Sequence, residues 1–240
     1  MTEIELIKKY VKLEDQEVAL KKFNSGYPVQ YIIGNVNFYG NIIKVNENVL
    51  IPRFETEYLV EKTIKYLKQL KLSKYHILEI GTGSGCISIA LKKELECDID
   101  ALDISKEALN VAKENALNND VIINFQNIDI ADFFSNKKYD LVISNPPYVP
   151  YGSNIDEKIK YEPERAIFTN GDGTYFYDVI LNKIKNNLSD NYLIAFEIGD
   201  NQGKKIKEIT KKYLRDSFTR MEYDYNNYER YFFVSNNDIL

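Results

Sequence analysis

Hydrophobic and polar positions fall into two regimes along this chain, and the change comes near Ser73. Before it, apolar residues at Ile4, Ile7, Val11, Val18 and Phe23 stand among many charges, a spacing that predicts one or two short amphipathic helices over residues 2–23. Three β-rich pieces follow, VQYII (29–33), NVNFY (35–39) and NIIKV (41–45), separated by Gly34-Asn35 and Gly40-Asn41. They predict a hairpin or small meander between Val29 and Ile51. A helix is predicted from about Glu55 to Leu70. After Ser73, strand HILEI (76–80) and turn GTGSG (81–85) lead into the helix SGCISIALKKEL, followed by strand DIDAL (98–102) and a helix over 105–118. Strand VIINF (121–125) comes next, then strand YDLVIS (139–144), which runs straight into Asn-Pro-Pro-Tyr. A long loop to about Thr169 precedes a helix near 174–188, strand YLIAFEI (192–198), a Lys-rich helix near 203–214 and strands around FTRMEY and RYFFVS. Such alternation predicts an α/β fold, a mainly parallel sheet covered by helices on both faces. Ligands of such sheets bind beyond the carboxyl ends of the strands, at the switch point.

Composition narrows the chemistry. The chain has 240 residues, a length that suits one α/β domain with a small appendage. One His and two Cys leave no zinc framework and no Ser-His-Asp set, so no metal site is expected. Carboxylates, amides, backbone groups or a bound cofactor must carry the reaction. Acidic residues interrupt the first ten positions, which do not read as a signal peptide, and no apolar run approaches membrane-spanning length. The expectation is a soluble, cytoplasmic protein without membrane partners. A formal charge of −5 argues against stable nucleic-acid binding.

Gly81-Thr82-Gly83-Ser84-Gly85 sits at the first strand-to-helix turn, where glycines allow tight geometry and close approach to a ligand. Asp103 ends the second strand, the place from which a carboxylate accepts hydrogen bonds from ribose hydroxyls. Together they predict a nucleoside-containing cofactor. The third glycine is out of register for a dinucleotide, and no Lys-Ser/Thr pair follows to make a phosphate loop. S-adenosylmethionine, which needs no phosphate cradle, is the remaining common nucleoside ligand of this architecture. Asp129 can accept from the adenine amine while Ile130 packs on the ring.

Ser144-Asn145-Pro146-Pro147-Tyr148 leaves the fourth strand on the same carboxyl edge. An amide nitrogen is a poor nucleophile because its lone pair is delocalised, as a rotation barrier of roughly 18–20 kcal/mol shows. Two acceptors facing its N–H bonds return electron density, and Asn145 Oδ1 with the Pro146 carbonyl can supply them. Proline lacks an N–H and stiffens the loop, so its carbonyl keeps a fixed direction. Tyr148 can pack on the flat face of the acceptor and favour a nearby sulfonium. No general base is then required, because the proton leaves after transfer.

These segments resemble the class I S-adenosylmethionine methyltransferases and, more narrowly, the HemK/PrmC family. That family comprises protein-(glutamine) methyltransferases acting on the Gly-Gly-Gln glutamine of bacterial peptide chain release factors. The resemblance runs from about residue 26 to 235, through PVQYIIGNVNFYG, LIPRFETEYLVE, ILEIGTGSGCISIAL, ALDIS, DLVISNPPYVP, YEPERAI and FEIGDNQG. It implies a Rossmann-like fold with a seven-stranded, mainly parallel sheet and an antiparallel last strand. It also implies a short helical segment (1–27), a β-hairpin connector (28–51) and a methyltransferase domain (52–240). It assigns Gly81 to Gly85, Asp103, Asp129 and Ile130 to the cofactor, and Asn145 through Tyr148 to the substrate glutamine, with Asn145 near both. Arg53, with Pro52, Glu55 and Glu57, matches an element beside the active site and is expected to organise neighbouring loops around the substrate. Glu162 and Pro163 fall where they can shape the substrate channel.

Three departures accompany the resemblance. Phe54 replaces a common proline, and Ile130 stands where some relatives carry an aromatic residue. Only residues 1–27 precede Pro28, whereas the family carries a bundle of several helices that helps dock the release factor. A smaller or differently built docking surface is expected. A nucleic-acid amino methyltransferase, acting on adenine N6 or guanine N2, shares the glycine loop and the Asn-Pro-Pro-Tyr type of motif. It would need a basic face, for which Lys204, Lys205, Lys207, Lys211 and Lys212 are the candidates. A cofactor-binding module without turnover is a third reading, against which the intact motif speaks.

Overall fold

The computed structural model describes residues 2–155 and 157–240. Seven strands form the central sheet: β3 (Tyr75–Ile80), β4 (Cys97–Asp103), β5 (Asn124–Asn127), β6 (Tyr139–Ser144), β9 (Leu188–Glu197), β10 (Phe218–Tyr223) and β11 (Glu229–Ser235). Their order is β10-β11-β9-β6-β3-β4-β5. The five from β9 to β5 are parallel, and β11 runs antiparallel to both its neighbours. Successive side chains alternate between faces as the pleat requires. Ile77, Leu141 and Ile143 thus enter a core beneath α4 (Phe54–Leu67), α5 (Cys86–Glu94) and α6 (Lys106–Asn118), which contribute Leu59, Ile89 and Val111. Leu78, Ile80 and Val142 enter the other, beneath α7 (Tyr175–Ile184) and α8 (Gly203–Tyr213), which contribute Ile180 and Ile206.

Ahead of the sheet lie α1 (Glu3–Tyr10), α2 (Gln16–Asn24) and α3 (Val29–Ile33), then the hairpin of β1 (Asn35–Phe38) and β2 (Asn41–Lys44). The expected strand VQYII is α3, a helix. Pro28 precedes it with φ −58° and Gly34 ends it at φ 82°, donating its N–H to Gln30 O at 2.8 Å. Pro at the start and Gly past the end outweigh the β propensity of the five residues between them. Val29 seals a small cluster with Ile7 and Ala19, while Tyr31 turns to the main core and donates its hydroxyl to Val49 O at 2.6 Å.

The third parallel strand is also displaced, to Asn124–Asn127 rather than 121–125. Val121 N–H bonds back to Ala116 O at 3.0 Å, so the first residues of VIINF close α6 instead of pairing with β4. The remaining strands of the sheet and the helices α4 to α8 fall where the periodicity places them, within a few residues at their ends. A two-residue parallel pair, β7 (Val149–Pro150) with β8 (Phe168–Thr169), closes the base of the long loop after β6.

Candidate active site

Strand register fixes which residues meet. Leu102, Ile80, Ser144 and Phe196 stand in one row across β4, β3, β6 and β9. The next residue of each strand or loop is therefore Asp103, Gly81, Asn145 and Glu197, four polar or glycine positions brought to one edge from remote parts of the chain. Ser144 Oγ donates to Ile80 O at 2.7 Å and locks the two central exits together.

Gly81, Gly83 and Gly85 all have positive φ, a region that L side chains rarely adopt. A Cβ on Gly85 would lie 3.2 Å from Ala112 Cβ, so this glycine also lets α6 pack against the start of α5. Beside Gly81 and Gly83 there is no atom within 4 Å of where a Cβ would stand. A cavity of about 500 Å³ opens here, walled by the glycine loop, Asp103, Ile104, Ile130 and the Asn145-Pro146-Pro147 turn. Asp103 Oδ2 accepts Gly83 N–H and its Oδ1 accepts Ser105 N–H, both at 2.8 Å. Burial raises this carboxyl above the usual range, against the opposing pull of those two donors.

Of the residues expected at the site, Gly81 through Gly85 except Gly85 itself line the cavity, as do Asp103, Asp129, Ile130, Asn145, Pro146, Pro147 and Arg53. Asp129 caps a short turn, its Oδ1 accepting Ala131 N–H at 2.8 Å, and Ile130 is buried. Tyr148 does not line the cavity. The residue is half-buried, and its hydroxyl donates to Glu197 Oε1 at 3.2 Å. Burial and the Glu197 carboxylate push its phenol well up. Arg53 pairs with the buried carboxylate of Glu162, whose Oε2 accepts Ile51 N–H at 2.9 Å. That pairing ties the segment before α4 to the loop after the Pro-Pro turn. Glu57 faces away, accepting Tyr39 N–H at 3.0 Å in the hairpin turn.

Several further residues in or beside the cavity wall belong to no motif. Glu79 is fully buried in the cavity wall, where its Oε2 accepts Thr82 Oγ1–H at 2.8 Å, Ser88 N–H at 3.1 Å and the Ser88 hydroxyl. Its Oε1 has no partner among the described residues, and burial pushes the carboxyl up to about 7. Arg165 lines the cavity from the long loop, and its charge reaches Asp103. Asn115 of α6 donates to Ser84 O and to Lys44 O, each at 2.9 Å, fastening the glycine loop to β2. Of these, Glu79 alone has a signal in the sequence, as the last charged residue of a buried strand before a glycine turn.

A methyltransferase small domain matches residues 57–171. A solved methyltransferase from Pyrococcus furiosus superposes with a TM-score of 0.61 at 16% identity, over 94% of this chain and 100% of that one. Sheet order, glycine loop and cavity define a class I, Rossmann-like methyltransferase. The release factor glutamine methyltransferase of Flavobacterium psychrophilum is 41% identical, over 85% of this chain and 74% of its own length. That of Lactococcus lactis is 38% identical over 89% and 81%. The chain belongs to the release factor glutamine methyltransferase family.

Proposed function

We propose that this protein transfers the methyl group of S-adenosylmethionine to the side-chain amide nitrogen of the glutamine in the Gly-Gly-Gln motif of peptide chain release factors. The observation that carries this reading is the register of β3 and β6. It sets the glycine loop and the Asn145-Pro146-Pro147 turn side by side on one cavity.

The cavity suits the cofactor. The unpartnered Glu79 Oε1 is an acceptor fitted to an ammonium, and Asp103, already bonded to Gly83 and Ser105, keeps lone pairs for ribose hydroxyls. Ile130 and Ile104 offer an apolar wall to a purine, with Asp129 at its edge. Bound there, S-adenosylmethionine supplies an electrophilic methyl on a sulfonium. Asn145 Oδ1 and the Pro146 carbonyl accept the two N–H bonds of the glutamine amide, which fixes its plane and returns electron density to its nitrogen. Arg53, held by Glu162, organises the entrance on the side of α4. No titrating base is needed at the acceptor.

Incubation with S-adenosylmethionine and an unmodified release factor, followed by mass spectrometry, is expected to add one methyl on the Gly-Gly-Gln glutamine. A methyl on bulk RNA or DNA and none on that glutamine would replace this reading with the nucleic-acid one. The lysines of α8 do not favour the latter: that helix buries Ile206 and Ile209, and Lys212 is paired with Asp178 at 3.0 Å. Among the described residues no helix is long and apolar enough to cross a membrane.

A further inference from the structure

Beside the Pro-Pro turn, one buried carboxylate holds the Tyr148 end of the motif directly and the Asn145 end through Thr56, which also lines the cavity. Glu197 Oε2 accepts Thr56 Oγ1–H at 2.6 Å, and Glu197 Oε1 accepts Tyr148 O–H at 3.2 Å. Thr56 Oγ1 in turn accepts from Asn145 Nδ2 at 3.2 Å. Thr56 and Glu197 are both buried, and neither lies within forty positions of Asn145. Arg230 of β11 completes the set, donating to Tyr148 Oη at 3.4 Å and to Ile198 O at 3.2 Å.

The direction of these bonds has a chemical consequence. A threonine hydroxyl has a single proton. Burial raises the Glu197 carboxyl, against the opposing pull of Thr56, Arg230 and Tyr148; in its ionised form it can only accept, so Thr56 spends its proton there and toward Asn145 offers only a lone pair. The Asn145 amide must therefore turn its NH2 end to Thr56. In the opposite orientation two oxygens would face each other with no proton between them. Asn145 lines the cavity, so the end left for the cavity is Oδ1, the end that accepts.

Resting on the function proposed above, we infer that Thr56 and Glu197 are positioning residues that set the orientation of the Asn145 amide, so that the acceptor glutamine meets an oxygen and not an NH2 group. Tyr148 belongs to the same device. Its hydroxyl keeps the second carboxylate oxygen occupied and its backbone carbonyl accepts Gln202 Nε2–H at 2.9 Å, which pins the far end of the turn. Glu197, which does not line the cavity, acts through Thr56 by the polarity it imposes on a neutral amide.

The test is steady-state methylation of an unmodified release factor by Thr56→Val, Thr56→Ala and Thr56→Ser, with S-adenosylmethionine affinity measured by calorimetry on each. Valine and alanine remove the lone pair that selects the amide end, and each is expected to lower kcat at least ~30-fold. KM for the release factor and the cofactor Kd should stay within about threefold. Serine keeps the hydroxyl and should restore kcat to within about threefold of the parent. If kcat of Thr56→Val and Thr56→Ala is unchanged, the inference fails. It also fails if cofactor affinity falls in step with kcat, or if serine does not restore turnover, because either result marks a role in packing alone. If instead the parent protein methylates no release factor, the functional reading itself has failed, an outcome distinct from all of these.

Discussion

Gly83 donates its backbone N–H to Asp103 Oδ2 at 2.8 Å, so the carboxylate that ends β4 is bonded to the turn that ends β3. The glycine loop and the acidic residue are therefore one structure. Asp103→Ala should weaken S-adenosylmethionine binding at least ~10-fold, because ribose contacts and loop closure are lost together. Calorimetry on the variant checks this, and an unchanged Kd refutes the ribose assignment.

Asn145→Ala separates acceptor from cofactor. Its amide faces both the Thr56 hydroxyl and the cavity, but the cofactor has many other partners along the glycine loop. Turnover is expected to fall about 100-fold or more, in the range found when one aligned polar group is removed from a reacting centre. Cofactor affinity should change by less than about threefold. Equal losses of both would mean that the residue serves mainly the cofactor.

Glu79 makes stability depend on pH. Its carboxyl is raised to about 7 in the folded protein from an ordinary value of 4.5. Folding therefore holds the proton more tightly than the unfolded chain does. This contribution is fully present below about pH 4.5 and is lost as pH rises through about 7. By the usual conversion its size is of order 3 kcal/mol. Denaturant unfolding of the parent and of Glu79→Gln at pH 5 and pH 8 should show the variant gaining on the parent as pH rises. Saturating S-adenosylmethionine should narrow that gap, since a neighbouring ammonium favours the ionised carboxylate. Parallel pH profiles for the two proteins would refute the assignment.

Gly85→Ala tests the packing of the loop. The position has φ 80°, and the added methyl would meet Ala112 Cβ at 3.2 Å. Left-handed strain and the tight contact together should cost about 1–3 kcal/mol. Thermal unfolding reads this directly. A variant as stable as the parent would show that α5 and α6 can separate at no cost.

Much of this arrangement was legible in the chain because it depends on local signals. A buried run ending in Gly-Thr-Gly-Ser-Gly can be little else than a strand entering a helix, and YDLVIS followed by Asn-Pro-Pro-Tyr marks a strand whose exit is rigid. The errors lie where a short run had two plausible forms. VQYII is β-branched and apolar, yet the Pro and Gly that bracket it decide for a helix, and the first residues of VIINF are used to close α6. Thr56 and Glu197 were out of reach for another reason. One threonine in the first turn of an amphipathic helix carries no periodic signal, and a glutamate at a strand end reads as an ordinary boundary charge. Their meaning arises only when β9 is set beside β6. The bond that holds the Tyr148 hydroxyl was out of reach for the same reason, because the carboxylate that accepts it lies 49 positions away.

The sheet's connectivity bears on how the enzyme is made. β11 is later in the chain than every other strand of the sheet, yet it inserts between β9 and β10 and pairs with β9 from Leu193 to Glu197. A nascent chain that has emerged only through β10 still has β9 with an open edge, and Tyr148 still lacks Arg230. At that stage the Asn-Pro-Pro-Tyr turn has its bonds to Thr56, Glu197 and Gln202 but not the one from Arg230. The strand that covers the edge of β9 is thus also the one that delivers Arg230 to Tyr148, so closing the sheet and completing the support of the turn are a single event.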